Sequence, residues 1–336
     1  MATRFAVIGL DHRHVYELTA YLIEAGMECA GYWPVTTDLG VLEGFQKRFP
    51  HLTAVAEKER LLDDPSIQVI VTAAIPSERA PLAIAAMRRG KDVLVDKPGI
   101  TDFAQLADVE RAIAETGRIF SVCFSERFQT PSTEVALDLV RQGAIGNVIQ
   151  TVGLGPHRLN RKLRPGWFWD ASTYGGILVD IASHQIDQFI VFTGSEAPEV
   201  AYASVGKYAV GGGFEDFGEV VLKSERASGY IRVDWFTPDG LPTWGDGRLT
   251  ILGTEGTIEL RKYLDIEGRK GTDHLFMSDG KGTRHIACEG RPLTYFRAFA
   301  ADVRDRTETA MPQSHVITVC RLALEAQARA VELPAR

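Results

Sequence analysis

The sequence predicts an α/β protein: a doubly wound parallel sheet, followed by a second α/β domain with a large, mostly antiparallel open sheet. Three observations carry this. The first third alternates short apolar runs with helical periodicity, as βαβ units do. After about Cys123 the rhythm changes to longer extended runs separated by glycine and proline turns. At 336 residues the chain exceeds what one hydrophobic core usually serves, so two domains are expected, 1–123 and 124–336, the final helix packing back on the first.

Taken in order, strands are expected at 5–8, 28–33, 53–56, 69–74, 93–95 and 119–123. Between the first two, Val15, Leu18, Leu22 and Ala25 recur at helical spacing and Gly26 stops the helix. Helical patterns follow at 81–90 and 103–117. The second domain reads as a helix over 133–142, a strand near 148–154, an irregular stretch and a helix from about 176 to 192. Extended runs at 199–208, 215–223, 228–236 and 248–260 then supply the open sheet, and a helix over 315–330 closes the chain.

Composition excludes several classes. With 45% hydrophobic and 24% charged residues the chain is an ordinary globular one, and its net charge of −7 lacks the basic excess that nucleic acid or an anionic membrane demands. Cys29, Cys123, Cys288 and Cys320 form no CxxC pair, which removes a zinc knuckle and a thioredoxin-type motif and fits a reducing compartment. No stretch approaches the ~18 uninterrupted apolar residues of a membrane span, and the apolar run before Asp11 is too short for a signal peptide. A cytoplasmic protein without a metal is expected.

In open α/β sheets ligands bind beyond the carboxyl ends of the strands, which selects the residues following each strand. After the first come Gly9, Leu10, Asp11, His12, Arg13 and His14, leading into a helix whose N-terminus suits a pyrophosphate. Asp11 and His14 occupy the second and third glycine positions of a G-x-G-x-x-G fingerprint, and Asp11 is equally readable as a helix N-cap. Trp33 stands at the end of the second strand, where an acid usually holds the adenosine ribose. Asp38 is placed to reach back to that ribose, and Thr36 and Thr37 leave room for a 2′-phosphate. No Arg or Lys immediately follows this strand, the nearest being Lys47 and Arg48, so NAD is favoured over NADP. Val93–Val95 run into Asp96, Lys97, Pro98 and Gly99, placing a lysine over the crevice. In the helix after Gly176, Asp180 and His184 at i,i+4 share a face with Asp187 one turn on, while Ile177, Ile181 and Ile186 help form the buried side. An acid beside a histidine is the usual general acid/base pair.

Together these segments resemble the glucose–fructose oxidoreductase, inositol dehydrogenase and rhizopine-catabolism family, Gfo/Idh/MocA. GKDVLVDKPG is similar to its G-K-H-V-x-x-E-K-P, RQGAIGNV to its S-G-x-I-G-x-V, and YGGILVDIASHQIDQ to its G-G-G-x-L-x-D-x-G-x-H-x-x-D; LGTEGTIEL lies near the end of the sheet. The resemblance implies a Rossmann domain, NAD or NADP, and hydride transfer at a secondary alcohol of a sugar, cyclitol or glycoside. It also implies a homodimer or homotetramer assembled through the open sheet. Matched residue by residue, it makes Lys97, Asp180 and His184 catalytic: His184 takes the hydroxyl proton, Lys97 polarises the hydroxyl, and the Lys97–Pro98 peptide is cis. Gly9, Asp11, His12, Arg13, Trp33, Ile75, Pro76, Arg79, Asp96 and Lys97 fall on the cofactor side. Arg127, His157, Trp167 and Tyr174 join the catalytic three on the substrate side. Arg79 stands where many members have histidine, and Tyr174 replaces the first glycine of the triple glycine, so that its phenol protrudes. Two further readings are an NAD-dependent glycosidase or lyase acting through a transient keto-sugar and a non-catalytic sugar sensor; retention of Lys97, Asp180 and His184 argues against the sensor.

Overall fold

Five parallel strands form the first sheet of the structure, a computed structural model that describes residues 2–334. The chain runs β1 (Arg4–Leu10), α1 (Val15–Glu24), β2 (Glu28–Trp33), α2 (Leu39–Arg48), the single turn α3 (Glu59–Leu62), β3 (Val69–Ala73), α4 (Pro76–Met87), β4 (Asp92–Asp96), α5 (Phe103–Thr116) and β5 (Phe120–Cys123). The strand order is β2-β1-β3-β4-β5, every pair parallel. β3 and β4 are buried at every residue, as strands covered on both faces are.

Two expectations change here. The strand expected at 53–56 is reduced to one parallel bridge, Tyr32 to Ala54, held by Tyr32 N–H to the Thr53 carbonyl (3.0 Å) and Val55 N–H to the Tyr32 carbonyl (2.8 Å). Only Val55 of those four residues is even half-buried, so nothing apolar holds a longer ladder at this sheet edge, and the strands number five, not six. α4 begins at Pro76 rather than at 81, because Pro76 takes the N1 position where its fixed φ and missing N–H are no handicap.

The second sheet follows α6 (Ser125–Phe128) and α7 (Pro131–Arg141) and opens with β6 (Val148–Pro156). After the single turn α8 (Ala171–Tyr174) come α9 (Ser183–Thr193), β7 (Glu199–Gly206), β8 (Phe217–Lys223), β9 (Ser228–Asp234), β10 (Arg248–Gly253), β11 (Gly256–Arg261), β12 (His274–Asp279) and β13 (Gly282–Ile286). The chain closes with α10 (Tyr295–Asp305), α11 (Gln313–Arg329) and the two-residue β14 (Val331–Glu332). The nine-stranded order is β13-β12-β11-β10-β6-β9-β8-β7-β14, antiparallel except at β6–β9 and β7–β14. The single run expected at 248–260 is a hairpin folded at Thr254 and Glu255; β12, β13 and α10 are additional to the expected elements, although Tyr295, Phe296, Phe299, Ala300 and Val303 of α10 recur at helical spacing.

One face of this sheet is a core in which Ala136 and Leu137 of α7 and Phe192 of α9 meet Ile251, Ile258, Leu260 and Met277. Gly153 and Gly155 in β6 let α9 approach, since a Cβ at Gly153 would lie 2.7 Å from Gln185 Cγ. On the other face Val152, Leu154, Val221, Tyr230 and Leu252 stand half-buried or exposed.

Two compact units emerge that are not consecutive blocks of chain. The first gathers 1–123 with 165–175 and 294–321; the second gathers 124–164, 176–293 and 322–336. Tyr21 stacks on Phe296 (4.9 Å between centroids), and Ser121 and Tyr295 share a hydroxyl hydrogen bond of 2.7 Å, tying α10 into the first unit. The four cysteines are free thiols, and no helix among the described residues is long and apolar enough to cross a membrane.

Candidate active site

In the first unit, Gly9 opens the turn after β1 at φ +87°, and a Cβ there would meet Ala74 Cβ at 2.5 Å, so only glycine lets the exits of β1 and β3 pass. Asp11 is not the N-cap of α1. Its Oδ1 accepts hydrogen bonds from Thr36 Oγ1 (2.9 Å), Thr37 N–H (2.7 Å) and Thr37 Oγ1 (2.8 Å), pinning the loop after β2. His14 takes the cap position but turns its imidazole elsewhere.

That imidazole reaches Asp96. Asp96, 1% exposed at the end of β4, meets His12 Nδ1 at 2.9 Å through Oδ2, His14 Nδ1 at 2.8 Å through Oδ1, and Arg79 Nη2 at 3.1 Å. Burial alone would raise its carboxyl, but His14, Arg79 and His12 together hold it well below the ordinary carboxylate range. His12 moves the other way: desolvation first, then His14, lower its imidazole to about 3 against the pull of Asp96, leaving it neutral at neutral pH.

Arg79, 1% exposed, also donates from Nε to the Ala74 carbonyl (2.7 Å) and from Nη1 to the carbonyls of Asp96 (3.1 Å), Lys97 (2.5 Å) and Pro98 (3.1 Å). Its guanidinium therefore builds the turn that carries Lys97, across a Lys97–Pro98 peptide that is cis. Lys97 itself is 6% exposed. His12, His14 and Asp96 have ligand atoms within 4.8 Å of one another, and Arg79 Nη2 adds a fixed positive charge 3.1 Å from Asp96 Oδ2.

Beside this cluster a cleft of about 660 Å³ is lined by Gly9, Asp11, Trp33, Thr36, Lys58 and Glu78, among others. It lies at the carboxyl ends of β1, β2 and β3, where the fold binds nucleotides. Arg13 is exposed in the first turn, and Ile75 and Pro76 form the β3–α4 turn. Trp167 and Tyr174 belong to this unit too. Tyr174 is 3% exposed and lies parallel to Phe168 at 6.2 Å, so its ring packs inward rather than protruding into solvent.

In the second unit, the helix bearing Asp180 and His184 starts with a π-helical turn, Leu178–Ala182, and continues as α9, so the two residues are not set by simple α-helical spacing. Gly176 at φ +92° begins it, with Glu215 Oε2 accepting from Ile177 N–H (2.9 Å) and Gln327 Oε1 from Leu178 N–H (3.0 Å). Ile177, Ile181 and Ile186 are fully buried as expected, yet His184 (2%) and Asp187 (0%) are buried as well. Asp187 is engaged by Arg127 in a bidentate pair, Nε to Oδ2 at 2.7 Å and Nη2 to Oδ1 at 2.6 Å. His157 Nδ1 donates to the Gly155 carbonyl (3.0 Å), and its ring meets those of Trp244 (4.5 Å) and Trp235 (5.3 Å) edge-on.

Sequence reasoning missed Glu126 and Lys262. Glu126, 3% exposed, accepts from Lys262 Nζ at 2.7 Å and Gln185 Nε2 at 2.9 Å. Burial would raise its carboxyl, but Lys262, then His184, hold it at about 2. Nothing local in the sequence marks residues 126, 185 and 262 as neighbours.

A doubly wound sheet with a nucleotide-sized cleft at its strand ends, joined in one chain to an open-sheet unit, defines a dinucleotide-binding α/β protein. Residues 4–124 match the oxidoreductase family's NAD-binding Rossmann fold, and residues 134–259 match the GFO/IDH/MocA C-terminal domain. The chain belongs to the Gfo/Idh/MocA family of NAD(P)-dependent oxidoreductases. A solved structure from Erwinia carotovora atroseptica SCRI1043, described as an oxidoreductase, is 44% identical with a TM-score of 0.95, covering 99% of this chain and 100% of that one. An uncharacterised oxidoreductase of Escherichia coli (strain K12) is 30% identical over 44% of this chain, which spans 42% of that relative's length. The scyllo-inositol 2-dehydrogenase (NADP(+)) of Bacillus subtilis (strain 168) is 22% identical, over 83% of this chain and 81% of its own.

Proposed function

We propose that the protein moves a hydride between NAD(P) and a secondary alcohol of a sugar, cyclitol or glycoside. The observation that carries this is the turn at the end of β4, where Arg79 latches three consecutive carbonyls and holds Lys97 over the strand ends. When bound, the nicotinamide supplies the hydride acceptor or donor. Lys97 polarises the substrate hydroxyl and favours the developing alkoxide, and the hydroxyl proton leaves to the His184 imidazole, with Asp180 tuning it. Glu126 adds a fixed negative charge within electrostatic reach of His184 and His157, favouring the imidazolium that results. Gly9, Asp11, His12, Arg13, Trp33, Ile75, Pro76 and Asp96 frame the cofactor, Arg79 acting through the turn it builds. Arg127, His157, Trp167 and Tyr174 shape the substrate's surroundings, Arg127 by fixing α9 through Asp187. The uncovered face of the nine-stranded sheet joins two or four copies, and the free thiols suit the cytoplasm.

The test is a screen of purified protein with NAD and NADP against sugars, cyclitols and glycosides, read at the reduced-nicotinamide absorbance. Accumulation of reduced cofactor supports the reading; release of an aglycone without it points to a transient keto-sugar. With a substrate in hand, Lys97→Ala and His184→Ala should each lower kcat on the order of 10²- to 10⁴-fold with little change in dinucleotide affinity. Near wild-type kcat in His184→Ala would move the proton to another group. A light-scattering mass of 37.0 kDa would exclude the assembly.

A further inference from the structure

The cleft at the end of β2 lacks the carboxylate that a site for NAD employs. Trp33 stands in its place, and the two acids nearby in sequence are both engaged elsewhere. Asp11 is 6% exposed and accepts three hydrogen bonds from Thr36 and Thr37 through one oxygen. Asp38 caps α2, accepting from Val41 N–H at 3.1 Å, so it does not reach back toward a ribose.

A cation stands there instead. Lys58, which follows the bridge at Ala54, is remote from β2 in sequence, yet its Nζ lies 5.3 Å from the centroid of the Trp33 ring and both line the cleft. It is half-buried and joins no ion pair among the described residues. The other cation of the cleft, Arg89, is paired with Asp63 at 2.9 Å. A lysine held over an indole, with its ammonium uncommitted, suits a phosphate dianion beside an adenine ring. It gives a bare 2′-hydroxyl no comparable gain.

We propose that Lys58 is the 2′-phosphate cation of this cleft and Trp33 its stacking wall, so that the protein prefers NADP to NAD. This rests on the dinucleotide reading above and reverses the preference drawn from the residues directly after β2. The sequence looked for the cation one residue past the strand; the fold supplies it from the next crossover. Glu59 and Glu78 also line the cleft and are the groups that oppose an anion. Glu78 is exposed, and partial desolvation with Asp11 holds its carboxyl above its ordinary range while Lys58 pulls it down.

The experiment is a calorimetric titration of the full chain with NADP, NAD, adenosine 2′,5′-bisphosphate and 5′-AMP. Wild type should bind the two 2′-phosphorylated ligands at least about 10-fold more tightly than their counterparts. Lys58→Gln should weaken only those two, on the order of 10- to 100-fold, and Lys58→Arg should keep most of the gap. Unchanged thermal unfolding certifies each variant as folded. NAD bound as tightly as NADP by wild type, an equal loss of all four ligands in Lys58→Gln, or a preference set by Glu78→Gln instead would each overturn the proposal while leaving the dinucleotide reading standing. Binding of neither dinucleotide would overturn both.

Discussion

Asp96 and Glu126 are both carboxylates buried to within a few per cent, one in each unit, and they are held by different kinds of partner. Asp96 binds two imidazoles and a guanidinium that is itself latched to backbone carbonyls. Glu126 binds one ammonium and one amide, and that ammonium is further held by Gln188 Oε1 at 3.0 Å. The first carboxylate is bonded by two imidazoles as well as a cation; the second is bonded by one cation, with His184 and His157 adding charge attraction. A buried pair with one cation has no reserve when that cation is removed, whereas a carboxylate with three partners loses them by degrees.

The largest expected effect tests the fixed pair. Lys262→Met should cost about 3–5 kcal/mol in denaturant unfolding, because it strands a buried carboxylate. Adding Glu126→Gln should recover more than half of that loss. Asp96→Asn should cost less, on the order of 2–3 kcal/mol, since Arg79 keeps its bonds to backbone carbonyls. If the two single variants lose equal stability, the kind of partner is irrelevant and the contrast fails.

Acid separates the clusters by window. Unfolded, His12 takes up a proton near its ordinary value of about 6.5; folded, it does so only at about 3. Protonation therefore favours unfolding, and stability falls as pH drops through 6.5, the loss growing down to about 3. Glu126, held at about 2, contributes stability above its unfolded value of about 4.3, which is lost as pH falls from there toward 2. Tm measured from pH 7.5 to 3 should decline from the neutral side, and His12→Gln should flatten the upper part alone. A quarter of the His12 side chain meets solvent, which keeps this slope shallower than full burial would make it. The smallest effect is Asp38→Ala, expected to cost about 1 kcal/mol as a lost helix cap and to leave the NADP-to-NAD ratio unmoved.

The same contrast explains what was legible in the sequence. Asp96 and its partners sit in the residues just past β1, β3 and β4, where the topology rule directs attention, so GLDHRH and DKPG are legible as candidates from the sequence alone. The fold class followed from βαβ periodicity for the same reason: its determinants are local. Glu126, Gln185 and Lys262 are 59 and 136 residues apart along the chain from the first of them, and no short pattern records a contact of that range. Asp11 is readable from sequence either as a cap or as part of the pyrophosphate turn, and neither reading points to its partners, Thr36 and Thr37, in a loop two elements on. The π-helical turn before His184 was hidden for another reason: its apolar spacing also satisfies an α-helix.

The interleaving of the two units sets a timetable for synthesis. The chain passes from one unit to the other at 123/124, 164/165, 175/176, 293/294 and 321/322. The parallel sheet is complete once Cys123 has been made, yet Phe120 N–H waits for Gln313 Oε1 (2.9 Å), Asp92 for Arg306 (2.5 Å) and Tyr21 for Phe296. The unit begun first therefore stays incomplete until residue 321 has been made, and a nascent chain paused before residue 294 presents an apolar flank that its own later helices cover.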